Sequence, residues 1–124
     1  MSELWDKALE AADEARILVR EGRFNGASNR AYYAMFNTAR ALLIERHGAE
    51  ALDVKRHATV LPLFSKHFIE AGHFDVSFGA IMRRAAEMRR VADYDEMSVS
   101  KNEAQQILDA MERFLTVAAK VREA

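Results

Sequence analysis

The sequence predicts an all-α fold, an antiparallel bundle of about five helices that forms a single domain over residues 1–124. Four of the five glycines, at positions 22, 26, 48 and 72, fall between segments in which apolar residues recur at helical spacing. Strict alternation of apolar and polar residues never persists long enough to indicate a strand. The chain has no internal repeat and half of its residues are apolar, so it can bury one hydrophobic core without disulfides.

Glycines delimit the first two helices. The first is expected from about Ser2 to Glu21, where small and aliphatic residues share one face and Gly22 suits the C-terminus. The second is expected from about Gly26 to His47, with its stop at Gly48. Apolar side chains cover a wide arc of this second helix, which predicts that it lies at the centre of the bundle. The residues of the arc are Tyr32, Met35, Phe36, Ala39, Leu42 and Leu43.

The third and fourth helices follow from a proline and an apolar stripe. Pro62 places the start of the third helix close upstream, since proline is tolerated only in the first helical turn, and Gly72 ends the helix. Its apolar residues are Val60, Leu61, Phe64 and Phe68. The fourth helix is expected to begin near Ser77 and to end at the polar segment 93–96. Its apolar stripe consists of Phe78, Ile81, Ala85, Met88 and Ala92.

The fifth helix has the clearest start signal in the chain. Ser100 and Glu103 form a capping box, in which the side chain of each residue accepts a hydrogen bond from the backbone N–H of the other. The apolar stripe that follows consists of Ala104, Leu108, Met111, Leu115 and Ala118.

Composition excludes several classes of protein. The absence of cysteine excludes a disulfide scaffold and thiolate zinc sites, and the four histidines are scattered, so we expect no metal and no cofactor. The sequence shows neither an apolar run long enough for a membrane span nor a signal segment, so we expect a cytoplasmic protein without a membrane partner. The net charge of −1 argues against nucleic-acid binding by overall charge but permits a local basic stripe.

Two polar stripes carry the residues that could bind a ligand. The polar face of the second helix, spaced i, i+3, i+7 and i+10, consists of Arg30, Tyr33, Asn37 and Arg40. The polar stripe of the fourth helix consists of Arg83, Glu87 and Arg90. Guanidinium groups bind phosphates through paired hydrogen bonds, and tyrosine or asparagine beside them can stack on bases or bond riboses. A nucleotide or an RNA strand suits this chemistry.

The same stripes have a structural interpretation. Arginine and glutamate one turn apart on a helix usually form a solvated face that adds little stability. His57 likewise has two interpretations, a catalytic base or a cap at the start of a helix. Spacing alone leaves ligand binding and a structural role open.

Three segments resemble the motifs of a known family. The run from Ser28 to Leu43 reads SNRAYYAMFNTARALL and is similar to the helix-2 motif of the small stand-alone HEPN proteins, approximately R-A-Y-Y-A-M-F-(H/N)-x-A-R-A-L-L. The segment from Lys55 to His57 resembles the family's K-x-H at the start of helix 3. The segment from Arg90 to Tyr94 resembles its R-x-x-A-D-Y at the end of helix 4. Order and spacing agree across nearly the whole chain.

The resemblance implies a fold and a biological context. HEPN domains are helical bundles that commonly dimerise, are often encoded beside a minimal nucleotidyltransferase in toxin–antitoxin modules, and in many branches cut RNA without metal. RNA-cleaving members carry an arginine followed after four to six residues by a histidine that handles the proton of the ribose 2′-OH. No histidine follows Arg90 at this spacing, and a tyrosine, with a pKa ordinarily about 10, is a poor general base. This departure argues against cleavage and leaves phosphate recognition by Arg30 and Arg90 in place.

We therefore expect an HEPN-like bundle that forms a homodimer, acts with a minimal nucleotidyltransferase partner, and binds RNA or a nucleotide. The expected binding residues are Arg30, Tyr33, Asn37, Arg90, Asp93 and Tyr94. A metal-independent endoribonuclease that uses His57 as its base is one alternative, so the question of enzymatic activity stays open. A purely structural interaction protein, in which the stripes are ion-pair networks, is the other.

Overall fold

A computed structural model describes residues 3–48, 57–94 and 97–123. Five α-helices account for most of this part of the chain: α1 (Glu3–Arg20), α2 (Phe24–His47), α3 (His57–Phe64), α4 (Ser77–Tyr94) and α5 (Lys101–Glu123). A π-helical segment, Ser65–Ile69, continues α3, and the described residues contain no strand. The predicted all-α class and the five helices are confirmed.

The second helix is the centre of the bundle, as its wide apolar arc predicts. α1, α3, α4 and α5 all pack against α2. Every residue of the predicted arc is buried, and the side chains of Phe36 and Leu43 are among the core residues. A helix that is apolar around so much of its circumference is stable only when neighbours cover it on several sides.

Small residues bring α1 close to α2. Ala8, Ala11, Ala12 and Ala15 form the buried face of α1, and the pair α1–α2 has the most extensive contact in the bundle. Because an alanine side chain is a single methyl group, the two helix backbones can approach closely. The polar residues at the edge of this contact are therefore held at short range.

Five phenylalanine rings pack together where α3 meets α4 and α5. Phe64 stacks on Phe68 with a centroid distance of 5.2 Å and lies 5.5 Å from Phe114. Phe74, in the connection before α4, lies 5.0 Å from Phe114 and 5.5 Å from Phe78. Offset and edge-to-face ring pairs at these distances add stability beyond the area they bury.

The third helix begins at the K-x-H segment, as the resemblance implies, and only the placement of Pro62 in its first turn is wrong. α3 begins at His57, so Pro62 lies in its second turn rather than its first. Pro62 has no N–H to donate to the carbonyl of Ala58, which removes one bond of the helix. The helix persists because its phenylalanines are anchored in the aromatic cluster. Its hydrogen bonding then changes register, and the N–H of Glu70 donates to the carbonyl of Ser65 at 2.8 Å.

The predicted capping box of α5 is present. The Ser100 N–H donates to Glu103 Oε1 at 3.0 Å, and the Glu103 N–H donates to Ser100 Oγ at 3.1 Å. The hydrogen bond from the Ser100 backbone holds the pKa of the Glu103 carboxyl below its ordinary value. Sequence spacing alone was enough here because both partners lie within one helical turn.

Replacing Phe36 tests the central position of α2. Phe36 is 2% exposed and stacks on Tyr32 with a centroid distance of 5.7 Å. Phe36→Ala should lower the free energy of unfolding by about 3–5 kcal/mol, because it removes the buried ring and leaves a cavity. Denaturant titration measures this loss. The matched control is Val76→Ala in the connection before α4, where the side chain is 79% exposed, and we expect a change within about 0.5 kcal/mol. A loss below about 1 kcal/mol for Phe36→Ala would contradict the central position.

Candidate functional site

Arg89 lies at the centre of a cluster of tyrosines where α4 packs against α2. Its guanidinium carbon is 5.7 Å from the ring centroids of both Tyr32 and Tyr33 and 5.6 Å from that of Tyr94. Its Nη2 donates to the hydroxyl of Tyr33 at 3.3 Å. Cations are attracted to the faces of aromatic rings, and this attraction grows when the pair is shielded from water. The side chain of Arg89 is 22% exposed, so it is shielded but still reachable.

A chain of polar contacts joins Arg89 to α2 and α1. Asp93 Oδ2 lies 3.5 Å from Arg89 Nε and accepts a hydrogen bond from Asn29 Nδ2 at 3.0 Å. The Oδ1 of Asn29 accepts from Arg30 Nε at 3.0 Å and from Arg30 Nη2 at 2.7 Å. Arg30 Nη1 then lies 3.6 Å from Glu14 Oε1. The contacts thus run from α4 across α2 to α1, with the neutral amide of Asn29 between two pairs of opposite charge.

A cleft between α1 and α2 adjoins this chain. Its volume is about 260 Å³. The lining residues are Lys7, Glu10, Ala11, Glu14, Arg30, Tyr33 and Asn37. Arg30 lies against the ring of Tyr33, with its guanidinium carbon 5.2 Å from the centroid. The structure therefore brings Arg30, Tyr33 and Asn37 together in one cleft, and Tyr33 connects that cleft to Arg89.

Arg90 lies on the solvated side of α4. It donates from Nε and Nη2 to Glu87, at 3.2 and 2.6 Å, and both side chains are at least half exposed. The hydrogen bond from Arg90 holds the pKa of Glu87 below its ordinary value. Exposed ion pairs of this kind contribute little to stability because water and salt screen them. Arg90 thus remains reachable for an anionic ligand, although it is Arg89 that contacts Tyr33 and Asp93.

Arg89 and Asn29 are the site residues that sequence reasoning missed. The pattern R-x-x-A-D-Y is met by Arg89 through Tyr94, because two residues separate Arg89 from Ala92, whereas only Val91 separates Arg90 from it. The alignment of this motif on Arg90 was therefore wrong by one residue. Arg89 also lies on the same face of α4 as the buried residues Phe78, Met82 and Ala85, because it continues their helical spacing. This spacing is a signal by which Arg89 could have been found. Nothing in the sequence marks Asn29 apart from its position beside Arg30.

Two further groups bear on the chemistry of the site. Burial raises the pKa of Tyr32 to about 12, even though the charge of Arg89 lowers it, so Tyr32 stays protonated at neutral pH. His57, the weak catalytic candidate, begins α3, but its side chain lies outside the described residues. Among the side chains that the structure describes, no group of three or more histidines, cysteines or carboxylates could hold a metal ion. Within the same residues, no helix is long and apolar enough to cross a membrane.

Comparison with known proteins agrees with the motifs and the architecture. The family model of the HEPN domain matches residues 1–121. The chain belongs to the HEPN domain family. A UPF0332 protein of Thermotoga maritima is 32% identical over 122 residues, which is 91% of this chain and 89% of the relative. The candidate toxin MJ0605 of Methanocaldococcus jannaschii is 32% identical over 111 residues, covering 86% of this chain and 80% of the relative. The UPF0332 protein glr0978 of Gloeobacter violaceus is also 32% identical, with 94% of this chain covered and 90% of the relative.

Arg89 and Arg90 of this HEPN chain should differ in their contribution to the free energy of unfolding. Arg89→Ala should lower the free energy of unfolding by about 1–3 kcal/mol, because Asp93 and the hydroxyl of Tyr33 lose a charged partner at a partly buried position. Arg90→Ala should change it by less than about 0.5 kcal/mol, since Arg90 is half exposed. Thermal and denaturant unfolding of both variants measures the difference. Equal effects would contradict the distinction between the two side chains.

Proposed function

We propose that this chain is a toxin-like HEPN protein that binds single-stranded RNA, or a nucleotide, through the surface around Arg89. Two relatives named as candidate toxins, both from Methanocaldococcus jannaschii, support the toxin-like character. The observation that carries the binding proposal is the guanidinium of Arg89 set among three tyrosine rings, with Arg30 against one of the same rings. Cations beside aromatic rings are the combination that binds the phosphates and bases of single-stranded nucleic acid.

Each predicted site residue has a role on this surface. Arg30 and Arg89 supply guanidinium donors for phosphate, with Arg90 at the solvated margin. Tyr94 is 71% exposed, so its ring is accessible to a base. Tyr33 and Asn37 line the cleft, where an amide can bond a ribose or a base edge. Asp93 orients Arg89 rather than contacting the ligand, because a carboxylate beside a phosphate would repel it.

The acidic partners weaken phosphate binding without preventing it. The contact between Arg30 and Glu14 is long, at 3.6 Å, and their side chains are 36% and 47% exposed. An ion pair of this kind is weak, so a phosphate can compete with Glu14 for the guanidinium. Because the net charge of the chain is only −1, attraction to phosphate comes from these few arginines and not from the protein as a whole. Salt should therefore weaken the binding.

The ion pairs also give specific support to a second candidate function. Arg30, Arg89 and Arg90 each lie near a carboxylate, as expected of a structural interaction protein whose polar stripes only hold the bundle together. The two functions differ in whether RNA binds at all.

RNA binding decides between them. Fluorescence anisotropy with a labelled single-stranded RNA, in buffer containing EDTA, should show binding by the native protein. Arg30→Ala should weaken binding by about 1–3 kcal/mol and reduce its salt dependence, and Tyr94→Ala should weaken it by a similar amount through lost stacking. Arg113→Ala, which removes an exposed arginine of α5, is the matched control and should change binding little.

The outcomes of this experiment are distinct. Absence of binding by the native protein would contradict the proposal and favour the structural function. Equal losses of RNA affinity for Arg30→Ala and Arg113→Ala would show that RNA is attracted by positive charge anywhere on the surface and that there is no specific site. Cleavage of the RNA in EDTA, lost in His57→Ala, would instead establish the metal-independent endoribonuclease.

We further propose that the protein is a homodimer that acts with a minimal nucleotidyltransferase, as the family resemblance implies. Sedimentation at micromolar concentration should give a dimer, since a chain this small leaves apolar side chains such as Leu9 and Ile17 partly uncovered. A monomer at all concentrations tested would contradict the dimer.

A further inference from the structure

Asn29 occupies a bridging position between the two sides of the candidate site. Its Nδ2 donates to both carboxylate oxygens of Asp93, at 3.2 and 3.0 Å, and its Oδ1 accepts from Nε and Nη2 of Arg30, at 3.0 and 2.7 Å. Asp93 follows Asn29 by 64 residues, so this one side chain connects α2 to the end of α4. The side chain thereby contacts two of the predicted site residues.

The hydrogen bonds of Asn29 to Asp93 and Arg30 keep a negative charge close to two arginines. The guanidinium carbons of Arg30 and Arg89 lie 5.2 and 5.7 Å from the centroid of the same ring, that of Tyr33. Two cations held near one ring repel each other, and a negative charge nearby offsets this repulsion. Asn29 holds the Asp93 carboxylate at this place, next to Arg89, while its own oxygen faces Arg30.

Only an amide satisfies both neighbours. Its oxygen accepts from the paired N–H groups of Arg30, and its nitrogen donates to the carboxylate of Asp93. The opposite orientation of the amide would set donors against donors and an oxygen against a carboxylate, so the hydrogen-bond network fixes the orientation. A carboxylate at position 29 would suit Arg30 but repel Asp93.

Asp93 in turn matters for Arg89. Within the described part of the chain, the Nε of Arg89 is buried and makes no hydrogen bond of its own, and its charged neighbour is Asp93 Oδ2 at 3.5 Å. Loss of the bond from Asn29 would free Asp93 to turn toward water and leave Arg89 without this neighbour. The effect of Asn29 therefore reaches both arginines.

We propose that Asn29 is a positioning residue of the RNA-binding surface, which holds Arg30 and the Asp93–Arg89 pair in the arrangement that binds phosphate. The inference rests on the proposed function, since it assigns Asn29 a role in that binding. Asn29 does not contact the ligand; it acts through its two neighbours.

An exchange of acid and amide tests the proposal. In Asn29→Asp/Asp93→Asn the acid and amide trade places, so residue 29 still accepts from Arg30 and bonds the amide at residue 93. We expect Asn29→Ala and Asn29→Asp each to weaken binding of the labelled RNA about tenfold at pH 8, an effect typical of losing a group that orients a binding residue. The double variant should recover part of the affinity, because the bridge between residues 29 and 93 forms again while Arg89 faces an amide oxygen in place of a carboxylate. Asn102→Ala, an exposed asparagine of α5, is the matched control and should bind normally.

The pH dependence of RNA affinity in Asn29→Asp gives a second test of the role of Asn29. In Asn29→Asp two adjacent carboxylates compete for one proton, which raises the pKa of the pair. As pH falls through this raised pKa, the bound proton restores a donor between the two oxygens. The affinity of Asn29→Asp should therefore approach that of the native protein between pH 8 and pH 5.5, beyond any change the native protein itself shows over this range.

The outcomes separate this inference from the function on which it rests. If the native protein does not bind the RNA, the proposed function fails and the role of Asn29 fails with it. If the native protein binds and Asn29→Ala binds equally well, only the role of Asn29 is overturned. Melting curves identify a variant that has simply lost its fold. If Asn29→Ala loses affinity only at temperatures where its melting curve shows unfolding, Asn29 is structural only.

Discussion

Because α2 is buried along most of its length, the arrangement of the other helices and of every polar group near it is constrained. α1, α3, α4 and α5 all use α2 as their packing surface. A polar side chain on α2 can escape burial only along the narrow margins that the neighbouring helices leave uncovered. Arg30, Tyr33, Asn37 and Arg40 lie on those margins and are half-buried.

Half-burial changes what these residues can do. A fully exposed arginine is surrounded by water and salt, which weaken its attraction to any one partner. At the margin of α2, the guanidinium of Arg30 instead meets the ring of Tyr33 on its own helix and a carboxylate of α1, and the guanidinium of Arg89 reaches the same ring from α4. The same contacts that satisfy these charges in the folded chain also hold them in place, so a ligand that binds there meets groups already oriented.

Membership of the HEPN family does not by itself fix the activity of this chain. The segment after Arg89 and Arg90 has tyrosine and acidic residues, and it lacks the histidine that the family resemblance implies for RNA cleavage. Burial raises the pKa of Tyr32 further above neutral pH, which makes it a still poorer base than an exposed tyrosine. The described cluster supplies guanidinium groups and aromatic rings, which are the groups that the proposed binding of an anionic ligand would need. In the proposed function, the phosphate of the ligand would pair with the guanidinium groups and a base would stack on an exposed ring.

Much of the fold, by contrast, could be predicted from the sequence, and the reason is that helices are local structures. The apolar periodicity placed α2 at the centre, and glycine stops and the Ser100–Glu103 capping box marked helix ends within a few residues. The pairing of Arg90 with Glu87 within one turn of α4 is local in the same sense. The position of Pro62 within α3 was predicted wrongly because packing of the phenylalanines offsets the bond that Pro62 cannot make.

The candidate site was decided by tertiary structure. Arg89 and Arg90 are one residue apart, so they point about 100° apart around the helix axis, and only the position of α2 determines which of them meets Tyr33. The link from Asn29 to Asp93 joins residues far apart in the chain. The sequence by itself determined the helices, their buried faces and the family motifs. Which polar side chains meet at the helix margins depended on how the helices are turned toward one another, which periodicity along a single helix does not specify.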